Sequence, residues 1–144
     1  MSFEEVRVIT VVYLAVFLPL FIYFTNKSKL PNWIPTFYIV GVVVCALGWE
    51  LWFTYGWLDG HSVDIRRSEV LNTWLPKNLN WLMNSMGDAG AVLLGGVWLM
   101  WLTHRKDATI FKQWRWSAFT ILIFWCISQN ILVEMFLYHD QLAD

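Results

Sequence analysis

Apolar positions gather into four long runs, at about 6–25, 34–58, 80–103 and 114–138, parted by three stretches richer in charged and polar residues. Each run reaches or exceeds the roughly 20 residues that an α-helix needs to cross the hydrocarbon core of a bilayer. Lipid offers backbone amides and carbonyls no partner, so runs of this kind cross as helices. The pattern predicts an all-α membrane protein: a four-transmembrane-helix bundle, one integral-membrane domain over residues 1–144. Pro19 marks a kink in the first helix, and Asn26, Lys27, Ser28 and Lys29 end it. Pro31 and Pro35 bracket the following turn, where Trp33 takes an interfacial place. Between the second and third runs, residues 59–77 carry Asp59, Asp64, Arg66, Arg67 and Glu69, yet Val70, Leu71, Trp74 and Leu75 recur at helical spacing until Pro76. That spacing predicts a short interfacial helix.

Composition narrows the function classes. Charged residues make up 15% of the chain, against roughly 25% in soluble domains, and 58% is hydrophobic, which excludes a water-soluble globule. A net charge of -1 with no long basic block provides no surface for nucleic acid. Cys45 and Cys126 fall within apolar runs and are read as small core residues, not as a disulfide or metal pair. The first run follows Glu4 and Glu5 rather than a basic segment and has no small-x-small site after it, so it is read as a retained helix, not a signal peptide. Lys27, Lys29, Arg105, Lys106, Lys112 and Arg115 flank one set of helix ends, against Arg7, Arg66, Arg67 and Lys77 at the other. This excess places both termini and residues 59–77 on the non-cytoplasmic side.

Three acids interrupt the apolar runs: Glu50, Asp88 and Glu134, with no lysine or arginine at membrane depth to neutralise them. A charged side chain at a helix centre costs about 2.5 to 3.5 kcal/mol on insertion scales. Counted at about 1.5 Å per residue from their helix ends, all three share one half of the bilayer. Asn84, Asp88, Ala91 and Gly95 follow i, i+4, i+7, i+11, a polar and small stripe that permits close helix approach. Asn130 and Glu134 are likewise one turn apart with Gln129 adjacent, while Thr54 and Trp57 follow Glu50 by one and two turns. One polar pocket between helices 2, 3 and 4 satisfies every one of these spacings. Such a pocket holds at least one carboxyl as a proton donor beside an ionised neighbour that acts as base, the arrangement needed to move a double bond or to start and quench a carbocation. The competing structural reading is that the acids hydrogen-bond to Asn84, Gln129 or Asn130 and lock the bundle.

The chain has 11 tryptophans, more than interfacial belts require. Trp49 and Trp57 flank the pocket, where their π faces could stabilise a cation, and the others are read as packing or lipid-facing. His61, His104 and His139 lack metal-ligand spacing and are read as solvated loop residues; neither a metal nor a cofactor is expected.

The run from Cys45 through Trp49 and Glu50 to Phe53 resembles the Trp-Glu helix of the integral-membrane terpene cyclases of meroterpenoid pathways. That resemblance implies a cyclase with Glu50 as one catalytic acid and a second in the last helix, which Glu134 matches in location. Those cyclases have seven helices, more than the four expected here. Gly48 to Phe53, Met86 to Asp88, and Ser128 to Asn130 through Glu134 to Tyr138 also resemble, in order, the acid-bearing helices of the EXPERA group of sterol isomerases and lipid-binding receptors. This second resemblance implies sterol or lipid binding across helices 2 to 4. It departs from the isomerase where Ala46 replaces a histidine one turn before the first acid, and where a fifth helix is lacking.

The leading expectation is intramembrane binding and acid/base processing, by isomerisation or cyclisation, of a sterol-like or isoprenoid lipid. Glu50, Asp88 and Glu134 are its catalytic residues, and Trp49, Thr54, Trp57, Asn84, Gln129 and Asn130 its substrate contacts. The alternative is a non-catalytic accessory subunit of a larger membrane complex, whose acids bond to partner helices or to a second copy.

Overall fold

The computed structural model describes residues 1–58, 60–62, 67–133 and 135. Most of the described residues are helical. Helix α1 (Phe3–Asn26) opens with a reciprocal cap: the Ser2 hydroxyl accepts from the Glu5 amide at 3.1 Å, and the Ser2 amide donates to the Glu5 carboxylate at 2.7 Å. This box starts the helix ahead of residue 6. A 3-10 turn (Lys27–Lys29) follows, then α2 (Ile34–Leu47) and α3 (Trp49–Tyr55). A two-stranded antiparallel ribbon pairs Trp57–Leu58 with His61–Ser62, turning at Gly60 where φ is +81°. Helix α4 (Glu69–Trp74) is capped by Ser68, whose hydroxyl accepts from Leu71 and donates to Glu5 at 2.6 Å, tying α4 to the start of α1.

Helix α5 (Lys77–Gly87), a π-helical segment (Asp88–Leu94) and α6 (Gly95–Thr103) form one continuous span. A turn with Arg105 and Lys106 in the left-handed region, a 3-10 turn (Ala108–Phe111) and α7 (Trp116–Val133) complete the described chain. Three helical stretches, Phe3–Lys29, Lys77–Thr103 and Trp116–Val133, are long and apolar enough to cross a membrane, and the bent pair α2–α3 makes a fourth if counted as one span.

Three expected helices are corrected. The second does not run unbroken over 34–58: it bends by 42° at Gly48 and ends at Tyr55. Gly48 adopts ψ −120°, and a Cβ there would lie 2.7 Å from the Val44 carbonyl, so the kink needs glycine. The third begins at Lys77 rather than 80, because Pro76 serves as its N-cap, and it changes to π geometry at Asp88. The fourth starts at Trp116, two residues later than expected, and the portion expected at 134 and 136–138 lies outside the described residues.

The α5–α6 span is the hub. In its most apolar window 39% of residues are buried, against 17% in α1 and 6% in α7. Small residues on its faces admit the other helices. Gly87 and Gly90 meet Ala15 and Pro19 of α1, Ala89 meets Gly41 of α2, and Gly95 and Gly96 receive Trp125 and Leu122 of α7. Val8, Val12 and Val16 of α1, spaced one turn apart, close the packing against Leu75 and Met83. At the opposite end Ile34, Leu94 and Val97 form a second cluster with Phe111.

A Cβ on Gly90 would stand 3.2 Å from the Ala15 carbonyl and from Pro19. Gly90→Val is expected to lower unfolding stability in detergent by about 1–3 kcal/mol through overpacking, read by thermal unfolding; unchanged stability would mean that α1 does not pack there.

In the turn before α7, Asp107 accepts from the Thr109 amide at 2.9 Å and hydroxyl at 2.6 Å and pairs with Arg115 at 3.4 Å. The Thr109 hydrogen bonds first, and Arg115 after them, hold its carboxyl below the usual carboxylate range. A carboxyl lowered on folding stabilises fully above its unfolded value and loses that contribution as pH falls through the folded one. Exchange of the Thr109 amide, corrected for its intrinsic rate, should therefore accelerate as pH falls through that acid window. Asp107→Asn should remove the dependence.

Candidate functional site

The kink at Gly48 and the π segment at Asp88 bring two acids together. Residues on either side of a helix break lose their i to i−4 partners, so the last carbonyls of α2 and the first amides of α3 need others. Trp81 supplies one, its indole N–H donating to the Ala46 carbonyl at 2.8 Å. The break sets Trp49 and Glu50 on the first turn of α3, facing α5. Glu50 is only 7% exposed, and its Oε2 is buried with no hydrogen-bond partner among the described residues. Asn84 lies near the same carboxyl, and Asp88, one turn further along the hub, is within electrostatic range of it. Trp49 spans the gap, its Nε1–H donating to Asp88 Oδ2 at 2.7 Å. Thr54, one turn past Glu50, is 4% exposed.

Five of the expected site residues, Trp49, Glu50, Thr54, Asn84 and Asp88, thus come from α3 and the hub to one place. Gln129 is half-buried on α7. Asn130 is exposed, and its side-chain amide donates to the Cys126 carbonyl of its own helix at 2.8 Å. Glu134 and the side chain of Trp57 lie outside the described residues.

Two residues gain importance that spacing alone did not assign. Cys45, 4% exposed, stands close enough to feel both carboxyls, which makes it a wall of the site as well as a core residue. Trp81 sits one turn before Asn84 on the same helix face, and that i, i+3 relation is the signal that could have drawn it in.

A pair of carboxyls with one fixed by an indole donor can pass a proton between themselves and a third group. The residues around them, tryptophans, a threonine, an asparagine and a thiol, have the apolar surface and few polar atoms usual for a small-molecule site. Among the described residues no group of three or more histidines, cysteines and acids stands close enough to hold a metal ion. Two grooves lie elsewhere: one on the opposite face of α3, along Gly48, Trp52 and Tyr55, and one between α1, the hub and α7. Comparison with protein-family models, curated proteins and solved structures returned no match.

Removing the Trp81 donor while keeping an aromatic ring isolates the helix break. Trp81→Phe is expected to cost about 1–3 kcal/mol in unfolding stability, the penalty of a buried carbonyl left unpaired. Loss of less than the scatter between repeat melts would show that the break does not depend on it.

Proposed function

We propose that the chain is a multi-pass membrane protein, a four-span bundle with α4 at the interface and both termini on the non-cytoplasmic side. In this reading it binds a sterol-like or isoprenoid lipid beside Glu50 and Asp88 and exchanges a proton with it. The observation that carries the reading is the buried Glu50 carboxyl, one oxygen unpartnered, set beside a second acid. A structural lock would be expected to satisfy both oxygens, because an unmet buried polar atom costs stability.

The chemistry closes without a co-reactant. Glu50 gives its proton to one carbon of a double bond, leaving a carbocation on the neighbouring carbon. Asp88, held by the Trp49 indole, takes a proton from the carbon beyond, and a new double bond forms there. Proton return from Asp88 to Glu50 resets the pair. The same first step followed by attack of a second double bond closes a ring and leaves a new cation, which loses a proton to Asp88 to give the cyclic product. Trp49, with half its surface exposed, offers a ring face to the cation.

Glu50→Gln keeps the shape and removes the proton. Wild type and variant, purified in mild detergent, should fold alike, while conversion of a panel of sterols and linear isoprenoids falls by about 100-fold or more in the variant. Mass spectrometry of co-extracted lipids should show one enriched species in the wild type, lost or altered in the variant. Unchanged turnover would overturn the proton-transfer role. Bulk lipid only, with a stoichiometric protein partner in both samples, would replace the reading with that of an accessory subunit.

A further inference from the structure

The end of the bundle remote from Glu50 carries an arrangement that proton exchange does not use. Lys27 and Lys29 end the first span, and Arg105, Lys106 and Lys112 follow the hub; all five are exposed. The acid nearest them in sequence, Asp107, is engaged by Arg115 and Thr109. The two basic turns are held side by side, because Trp33 of one meets Phe111 of the other edge to face at 5.6 Å. Trp114 and Trp116, 66% and 71% exposed, stand against each other at the foot of α7, placed as interfacial anchors are.

An apolar groove of about 440 Å³ runs up to this basic end between α1, the hub and α7. Leu14, Leu18 and Ile22 form one wall, Leu94 and Trp98 the floor, and Trp125 the other wall. Leu14 to Ile22 covers about 12 Å of helix, and Lys27 follows within about 8 Å. The groove is open along its length and lined almost wholly by apolar side chains, a surface on which extended alkyl chains can lie.

We infer that this end binds an anionic phospholipid, its acyl chains in the α1–α7 groove and its phosphate against the basic turns at Lys27, Lys29, Arg105 and Lys106. Charge selects the headgroup: five exposed cations with the neighbouring acid already engaged favour an anionic over a zwitterionic lipid. The groove selects a ligand with tails. The inference stands apart from the proton-transfer reading, since it uses none of the same side chains.

The test uses the full chain in mild detergent and native mass spectrometry, with dioleoyl phosphatidylglycerol and dioleoyl phosphatidylcholine as probes. Wild type is expected to bind the anionic lipid about tenfold more tightly. A fourfold variant, Lys27→Gln, Lys29→Gln, Arg105→Gln and Lys106→Gln, should bind both alike while keeping its far-ultraviolet circular dichroism. Leu18→Trp, at an exposed groove position, should weaken both lipids and preserve their ratio. Glycerol 3-phosphate, the same charge without tails, should not displace the lipid. Equal binding by wild type, or a preference that survives in the fourfold variant, overturns the inference. Displacement by glycerol 3-phosphate would make this a phosphate site instead, and lipid binding untouched by Leu18→Trp would remove the groove from it.

Discussion

A backbone carbonyl without a donor costs several kcal/mol inside a bilayer, so a chain that breaks its helices there must bring donors to the break. Among the described residues regular α geometry breaks at Gly48 and over Asp88–Leu94, and indole N–H groups stand at both places. Trp81 donates to the Ala46 carbonyl beside the kink, and Trp125 donates to the Ala91 carbonyl within the π segment at 2.9 Å. The Tyr38 phenol adds a third long-range donor, to the Met86 carbonyl at 3.3 Å. An aromatic donor suits this duty because its ring packs as an apolar body while its edge carries one polar atom. Part of the tryptophan content thus answers to backbone chemistry, not to the interface.

The two irregularities coincide with the two acids. Glu50 follows the kink by two residues, and Asp88 is the first residue of the π segment. Short π segments recur at functional sites, where the extra residue re-aims side chains that an α-helix would direct elsewhere. Here the small residues Ala89 and Gly90 follow at once, so α1 and α2 approach the hub at the same level. The acids are held where the backbone departs from α geometry and small residues let the helices approach. Such a place is the worst for a charge that only needs a home, and a good one for a group whose geometry matters.

The spans were legible because hydropathy over some twenty residues depends little on detail. The stripe Asn84, Asp88, Ala91 and Gly95 is divided between two faces: Asp88 meets Trp49 of α3, whereas Ala91 and Gly95 line the groove beside Trp125 of α7, since the π segment that opens at Asp88 departs from the 3.6-residue period. What escaped was local. A kink at Gly48 and a ribbon at 57–62 depend on the dihedral freedom of Gly48 and Gly60, and glycine is common in membrane helices that do not break. The placement of Asn130 escaped because its spacing was read from a helix face alone, whereas an amide near its own i−4 carbonyl can bond there instead. Trp81 escaped because its role exists only once the kink has freed a carbonyl.

The hub keeps the two ends of the molecule chemically apart. From Asp88 to Thr103 is about 22 Å of helix, most of the thickness of a hydrocarbon core. The acids meet on the side where α3 packs, and the long apolar groove lies on the other, between α1 and α7. A lipid seated with its headgroup at the basic turns therefore has its tails against Leu14 and Trp98, not beside Glu50. One molecule cannot present the same double bond to both places, so a substrate of the acid pair would enter from the α3 side. There the half-exposed Trp49 holds Asp88 through its indole N–H, and it is this tryptophan, not the groove, that such a substrate would meet.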